Sequence, residues 1–261
     1  MISLVFPAYN PGPAVERTWE SVRDFIAVRP DPWEILFVCD GCTDGTPERL
    51  EALREEAGDP RLRVVSYERN RGKGHAVRVG LLAATGTVRV FTDVDLAYSF
   101  DDIARLADEL QRGARLVVGS RDHPDSLVQV PVRHLAYVAS RRRQSRIFGS
   151  VARWLLPLTL NDTQAGLKGM TAEVAERVIP NLMCDGFGFD CELLTACARY
   201  GIPVTEMPVR VRYDDEASST GGVKTALRML RELWRIRRHW PKSGFPAPAN
   251  ATVRELQSQA A

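Results

Sequence analysis

Short apolar runs alternate along the first half of the chain with stretches whose apolar positions recur every three or four residues. That pattern predicts strand and helix in regular succession. Strands are expected at Ile2 to Phe6, Glu34 to Val38, Leu62 to Ser66, Val88 to Thr92 and Leu116 to Gly119. Helices are expected at Ala14 to Val28, Pro47 to Ala57, Gly74 to Ala84 and Phe100 to Gln111, the second with Thr46 as its N-cap. Such alternation makes βαβ units and hence an α/β fold, Rossmann-like, with a mainly parallel central sheet and helices on both faces. Ligands of such sheets gather at the carboxyl ends of the strands.

Four polar clusters fall at those ends: Pro7-Ala8-Tyr9-Asn10, Asp40-Gly41-Cys42-Thr43-Asp44-Gly45, Asn70-Arg71-Gly72-Lys73-Gly74 and Asp93-Val94-Asp95. The last places two carboxylates around one residue, with no third protein ligand nearby. Mg²⁺ and Mn²⁺ take one or two carboxylates and complete their shell with water and substrate phosphate, so the pair hints at a nucleoside diphosphate. Taken alone, an Asp-x-Asp after a strand is more often a solvated turn. Arg71-Gly72-Lys73-Gly74 brings cations and free amides to a helix start, a setting that binds anions. It lacks the spacing of a Walker A loop, which argues against a kinase or ATPase. The coincidence of all four clusters, more than any one of them, points to a nucleotide site.

Composition removes other classes. The chain of 261 residues carries a formal charge of only +2, which argues against a nucleic-acid partner. The apolar start ends at Pro7 without a basic leader, and no apolar stretch reaches 18 residues, so the expected location is cytoplasmic or peripheral on the cytoplasmic face of a membrane. Five cysteines, odd in number, fit reduced thiols. Cys39-Asp40-Gly41-Cys42 has no second pair to complete a zinc site, so these cysteines are expected to be structural.

The order "PAYN", "DGCTDGT", "NRGKGHAVRVGL" and "TDVDL" resembles the nucleotide-binding half of glycosyltransferase family 2. "VVGSR", "SRRRQS", "DTQAGLKG", "FGFDCELL" and "EMPVRV" resemble its polyprenyl-phosphate branch, particularly the dolichyl-phosphate β-glucosyltransferases and more distantly the dolichyl-phosphate mannose synthases. The resemblance implies a GT-A fold over residues 1–240, with a nucleotide half to about 120 and an acceptor half beyond it. It implies inverting transfer from a nucleotide-sugar donor, UDP-glucose by the glucosyl-like motif, with Mg²⁺ or Mn²⁺ as cofactor. By the same resemblance Pro7, Tyr9, Asp40 and Lys73 contact the nucleotide, and Asp93 and Asp95 bind the sugar nucleotide and the metal. Arg121, Arg141, Arg142 and Lys224 face the acceptor or donor phosphates. Asp162 and Gln164 line the catalytic centre, Asp162 being the first candidate for an acidic catalytic residue and Asp190 the second.

The chain departs from the family in places. Cys39 and Cys42 replace residues of the usual Asp-Asp-Gly-Ser loop, leaving Asp40 as the single acid expected to read the base. Residues 218–224 replace a short Gly-Ser-Lys segment and are expected to close on substrate. A C-terminal membrane span found in many relatives has no counterpart. From Val223 to Trp240, however, Lys224, Arg228, Arg231, Arg235 and Arg238 form a cationic stripe, with Leu227, Leu230, Leu233, Trp234 and Trp240 on much of the other side. That helix is either an anchor on an anionic membrane surface or a helix packed on the domain. Ile147, Phe148, Val151, Trp154 and Leu155, following Arg141 to Arg143, form a second apolar patch with a basic rim. The tail, residues 241–261, is expected to be flexible.

The acceptor decides the role of Asp162. A hydroxyl would need a base, whereas a phosphate monoester, with a second pKa of about 6, is already mostly anionic at neutral pH. The competing readings are a transferase to polyprenyl phosphate and a soluble transferase to a small hydroxylated or phosphorylated acceptor. A nucleotidyltransferase would want a basic glycine-rich loop after the first strand, which "PAYNPGP" does not supply. A silent sugar-nucleotide-binding module is disfavoured by the acids at 93, 95 and 162.

Overall fold

Strands β1 (Ile2–Ala8) and β2 (Trp33–Asp40) are apolar along nearly their whole length, which suits strands covered on both faces. A computed structural model, describing residues 1–213 and 223–241, places them at the centre and flank of a seven-stranded sheet ordered β3-β2-β1-β4-β7-β5-β8. The further strands are β3 (Leu62–Tyr67), β4 (Val88–Phe91), β5 (Leu116–Ser120), β7 (Lys168–Thr171) and β8 (Val204–Pro208). A separate parallel pair joins β6 (Leu127–Gln129) to β9 (Arg210–Arg212). Within the large sheet β7 alone runs antiparallel, between β4 and β5. It carries residues from the second half of the sequence into the centre, so both halves share one sheet.

Helices α1 (Ala14–Ala27), α2 (Thr46–Ala57), α3 (Lys73–Ala83) and α4 (Phe100–Gln111) fall within a residue of their expected bounds. In α1 the residues Val15, Trp19, Val22 and Ile26 recur at helical spacing and face the core. Thr18 on the same helix donates to the carbonyl of Val94 at 2.7 Å and so holds the acidic turn. Ser99 caps α4 by accepting from the Asp102 amide. Thr46 differs from its expected role as a cap. It is the first residue of α2, following Gly45 at φ +78°, and Asp44 Oδ1 takes both its amide (3.1 Å) and its hydroxyl (2.7 Å). The acid two residues upstream thus satisfies the first amide of the helix, in place of a threonine side chain accepting from an amide further in.

The later helices are α5 (Leu135–Leu155), α6 (Ala172–Val178), α7 (Phe189–Arg199) and α8 (Val223–His239). The expected two-sided division of α8 is corrected. Leu233, Ile236 and, just beyond the helix, Trp240 enter the core, while Leu230 and Trp234 stand on the outer side with the arginines. The reason is the 100° step: positions 233, 236 and 240 share one face, and 230 and 234 lie about 90° and about 130° round from its centre, on the flank that meets solvent. The patch on α5 divides in the same way, with Phe148, Val151 and Leu155 packed inward and Ile147 and Trp154 exposed. Among the described residues no helix is long and apolar enough to cross a membrane. The side chains of Arg141, Lys224 and Leu227, the 218–222 segment and the tail beyond 241 lie outside the described residues.

Candidate active site

After β4 the chain turns back at once. The Leu96 amide donates to the carbonyl of Asp93 at 3.3 Å, and Leu96 adopts φ +53°. A leucine in the left-handed region is strained, and such strain clusters at working sites. The turn carries Asp93 and Asp95, the latter with Oδ1 accepting from the Ala97 amide at 3.1 Å. From the neighbouring loop Lys73 brings its ammonium to 2.5 Å from Asp93 Oδ1. Burial opposes that charge, yet Asp93, Asp190 and Asp95 outweigh it and hold the lysine pKa above its usual value. Asp95 shifts upward as well, through burial first and then repulsion from Asp93. Two crowded carboxylates sharing one lysine are a donor set that fits Mg²⁺ or Mn²⁺, with water and phosphate completing the shell. Among the described residues no group of three or more His, Cys, Asp or Glu converges as a complete protein cage.

Asp40, the acid expected to read the base, is engaged by neighbouring loops. Its Oδ1 accepts from the Tyr67 hydroxyl (2.8 Å) and the Arg71 amide (2.7 Å), and its Oδ2 from the Asn70 side chain (3.0 Å) and the Gly72 amide (2.8 Å). A carboxylate offers about four acceptor positions, and all are taken. Asp40 therefore folds the 70–72 loop and, through Gly72 at φ +109°, sets where α3 and Lys73 begin. Around it the first two loops are laced together. Asn10 accepts from the Thr43 amide at 2.8 Å, and the Cys42 thiol lies 3.4 Å from both the Ala8 carbonyl and the Asn10 amide. The five cysteines are free, and Cys42 serves structure as expected. Pro7 lies in β1 beside Val38, and Tyr9 is exposed at the rim of the same end.

On the other side of the sheet's midpoint, β5 delivers Arg121 and the loop before β7 delivers Asp162. Asp162 Oδ2 accepts from the Arg121 amide (2.9 Å) and Nε (2.7 Å), while Oδ1 accepts from its Nη2 (2.8 Å) and from the Gln164 amide (3.3 Å). Burial would raise the Asp162 pKa, but the hydrogen bonds and charge of Arg121 outweigh it and keep the carboxyl below its usual range. Arg142 donates to the Arg121 carbonyl at 3.0 Å and lies 3.7 Å from Asp122, which Arg146 also approaches at 3.5 Å. The structure thus brings Arg121, Arg142, Asp162 and Gln164 together.

Two residues outside the expected set complete the floor. Lys168 on β7 is wholly buried, donating to Asp190 Oδ1 (2.6 Å) and the Ala165 carbonyl (2.5 Å). Asp190, the second acidic candidate, is thereby pinned from below. Tyr98 is buried with its hydroxyl accepting from the Gly166 amide at 2.8 Å, which joins the loop after β4 to the loop before β7. A lysine flanked by apolar and small residues in "AGLKGM" was the available signal for the first. Nothing in the local pattern marks Tyr98.

The pattern of glycosyl transferase family 2 matches residues 3–178. A dolichyl-phosphate beta-glucosyltransferase of Dictyostelium discoideum is 28% identical over 249 residues, 90% of this chain and 73% of that protein. Glycosyltransferase AglD of Haloferax volcanii is 30% identical over 213 residues, 80% of this chain but 32% of that protein. Among solved structures, glucosyl-3-phosphoglycerate synthase from Mycobacterium tuberculosis, in complex with Mn²⁺, UDP-glucose and phosphoglyceric acid, superposes with a TM-score of 0.60. It is 23% identical, covering 94% of this chain and 81% of that one, a likeness that carries the fold, the GT-A fold. Because the matched span runs from β1 through α6, it takes in the acidic turn, the Lys73 loop and both members of the Arg121–Asp162 pair, and the chain belongs to glycosyl transferase family 2.

Proposed function

We propose that the protein transfers glucose from UDP-glucose, with inversion, to a phosphate-bearing acceptor, a polyprenyl phosphate. The observation that carries the acceptor class is the state of Asp162. Its carboxylate is ionised, its four acceptor positions are filled, and Arg121 supplies three of the donors. So occupied, it is poorly placed to take a proton from a hydroxyl, whereas a phosphate arrives at neutral pH already anionic. Arg121 and Arg142 then meet that phosphate with planar guanidinium forks, which suit its oxygens bidentately. Asp162 orients Arg121.

On the donor side Asp93 and Asp95 would hold Mg²⁺ or Mn²⁺, which when bound neutralises charge on the diphosphate. Lys73 adds a fixed cation beside them, stabilising the leaving nucleotide without reorganisation. Uridine and glucose are supported by the names of the relatives and by the UDP-glucose complex of the fold neighbour, since Asp40 is engaged in its own loop. A second reading, a small phosphorylated acceptor, is favoured by the phosphoglyceric acid in that neighbour's complex. Exposed Trp154 (78%) and Trp234 (53%) on helices with outward arginines support docking on an anionic membrane surface.

Radiolabelled UDP-glucose offered with Mn²⁺ and either polyprenyl phosphate in vesicles or soluble phosphate monoesters tests the proposal. Transfer to the lipid phosphate is the expected result. Transfer to unphosphorylated alcohols, or tighter binding of GDP than UDP, would overturn it.

A further inference from the structure

The C-terminal helix reaches the donor site through a strap, residues 183–188, that lies against the Lys73 loop. Buried carboxylates on two helices grip this strap. Glu192 on α7 accepts from the Met183 (3.0 Å) and Cys184 (2.7 Å) amides with Oε2, and from the Trp240 indole with Oε1 at 3.1 Å. Glu232 on α8, only 7% exposed, accepts from the Gly188 amide at 2.9 Å. Gly186 and Gly188 press so closely on it that a Cβ on either would lie 2.7 Å from a Glu232 oxygen.

The strap's other face supports the loop. Its Asp185 carbonyl accepts from the His75 amide at 3.2 Å and its Asp185 carboxylate from Arg78 at 2.9 Å. A Cβ on Gly74 would lie 2.6 Å from the Cys184 carbonyl and from Phe189 Cβ, and one on Gly72 would lie 2.5 Å from the Asp185 carbonyl. Lys73 is thus flanked by two glycines with backbone packed directly against them, so a shift of the strap is a shift of Lys73. Leu233, Ile236 and Trp240 already bury α8 in the core, which leaves the buried carboxylate of Glu232 unnecessary for anchoring alone. The family match ends at residue 178, before the strap and α8.

We propose that Glu232 is a positioning residue for the nucleotide, holding the 183–188 strap so that Lys73 stands at the donor diphosphate. The role rests on reading the Asp93 and Lys73 region as the donor site. It makes α8 part of the donor machinery through the strap.

Calorimetric titration of the full chain with UDP and with GDP, each with Mn²⁺, tests it. Glu232→Ala removes the acceptor of the Gly188 amide and should raise the nucleotide Kd about tenfold, the scale of one hydrogen bond to a charged group. Glu232→Gln keeps an oxygen for that amide and should recover most of the affinity. Gly186→Ala leaves Glu232 in place but pushes the strap off it, so it should weaken binding similarly and decides the matter if Glu232→Ala does not fold. Leu233→Ala, a core truncation on the same helix, should lower the melting temperature without moving Kd. A Glu232→Ala protein that melts earlier yet binds nucleotide like wild type, or a Gly186→Ala protein with unchanged Kd, overturns the positioning role alone. Wild type that binds neither nucleotide overturns the donor-site reading, and this role with it.

Discussion

Replacing Asp162 with Asn probes the Arg121 pair, on which the acceptor argument turns. The aspartate side chain is 3% exposed and that of Arg121 23%, and three hydrogen bonds of 2.7 to 2.9 Å join them. Asparagine keeps one acceptor oxygen and turns an amide group toward the guanidinium, leaving the arginine charge without its partner. Breaking a buried pair from one side costs about 3–5 kcal/mol, and the partial exposure of Arg121 favours the lower end. At about 2–4 °C for each kcal/mol in a domain of this size, the melting temperature should fall by about 6–12 °C. The folded pKa of Asp162 lies below its unfolded value of about 3.9, because Arg121 outweighs the effect of burial. The stabilisation is therefore fully present above about pH 4 and lost as pH falls through the folded pKa. Thermal melts from neutral pH down to strong acid should show a full gap between wild type and variant at neutrality that closes in acid. Equal melting temperatures at neutral pH, or a gap that persists unchanged in acid, would refute the reasoning.

Asp95→Asn should lower turnover by about a hundredfold or more while the fold is kept, as measured by circular dichroism, and excess chelator should reduce the wild type comparably; full activity in chelator would exclude a metal. Lys168→Met leaves Asp190 buried without its cation and should cost about 3–5 kcal/mol in urea unfolding, with the added change Asp190→Asn restoring part of it; additive losses would show that the two are uncoupled. Replacing Trp154 with Ala and Arg231, Arg235 and Arg238 with Gln should reduce sedimentation with anionic liposomes but leave UDP affinity unchanged. Wild-type sedimentation should weaken with salt, since exposed charges are screened over about 8 Å at physiological ionic strength; equal binding to neutral vesicles would count against an electrostatic contribution.

The strand and helix succession of the first half was legible because each element there buries a face whose period appears locally, as in Val15, Trp19, Val22 and Ile26. The carboxyl-end clusters were legible for the same reason, since knowing where a strand stops is knowing where its loop begins. The paired acids at 93 and 95 and the lysine at 73 could be named as candidates from spacing and resemblance alone, and the structure brings Lys73 to Asp93. Strands β6 to β9 could not: β6 and β9 have three residues each, and β7 takes its place by pairing antiparallel with two strands distant in sequence. The outward turn of Trp234 and the inward turn of Ile236 also needed the packed neighbour, since an amphipathic count cannot say which of two apolar arcs meets the core.

Polar groups divided along the same line. Sequence determined that Asp40 stands at a strand end, and the resemblance singled out Asp162, but tertiary structure alone decided that both carboxylates are filled by donors from other segments, with Tyr67 and the 70–72 loop around one and Arg121 around the other. A side chain's identity states what it can accept, and its position along the chain fixes which turn it occupies. Which donors reach it depends on contacts between residues distant in sequence, such as Asp40 with Gly72, 32 positions apart, and Arg121 with Asp162, 41 apart. Glu232 is the extreme case: it reads as one acid in a basic helix, paired at 3.5 Å with Arg228 one turn before it, and the close approach of two glycines more than 40 residues earlier gives its charge a second task.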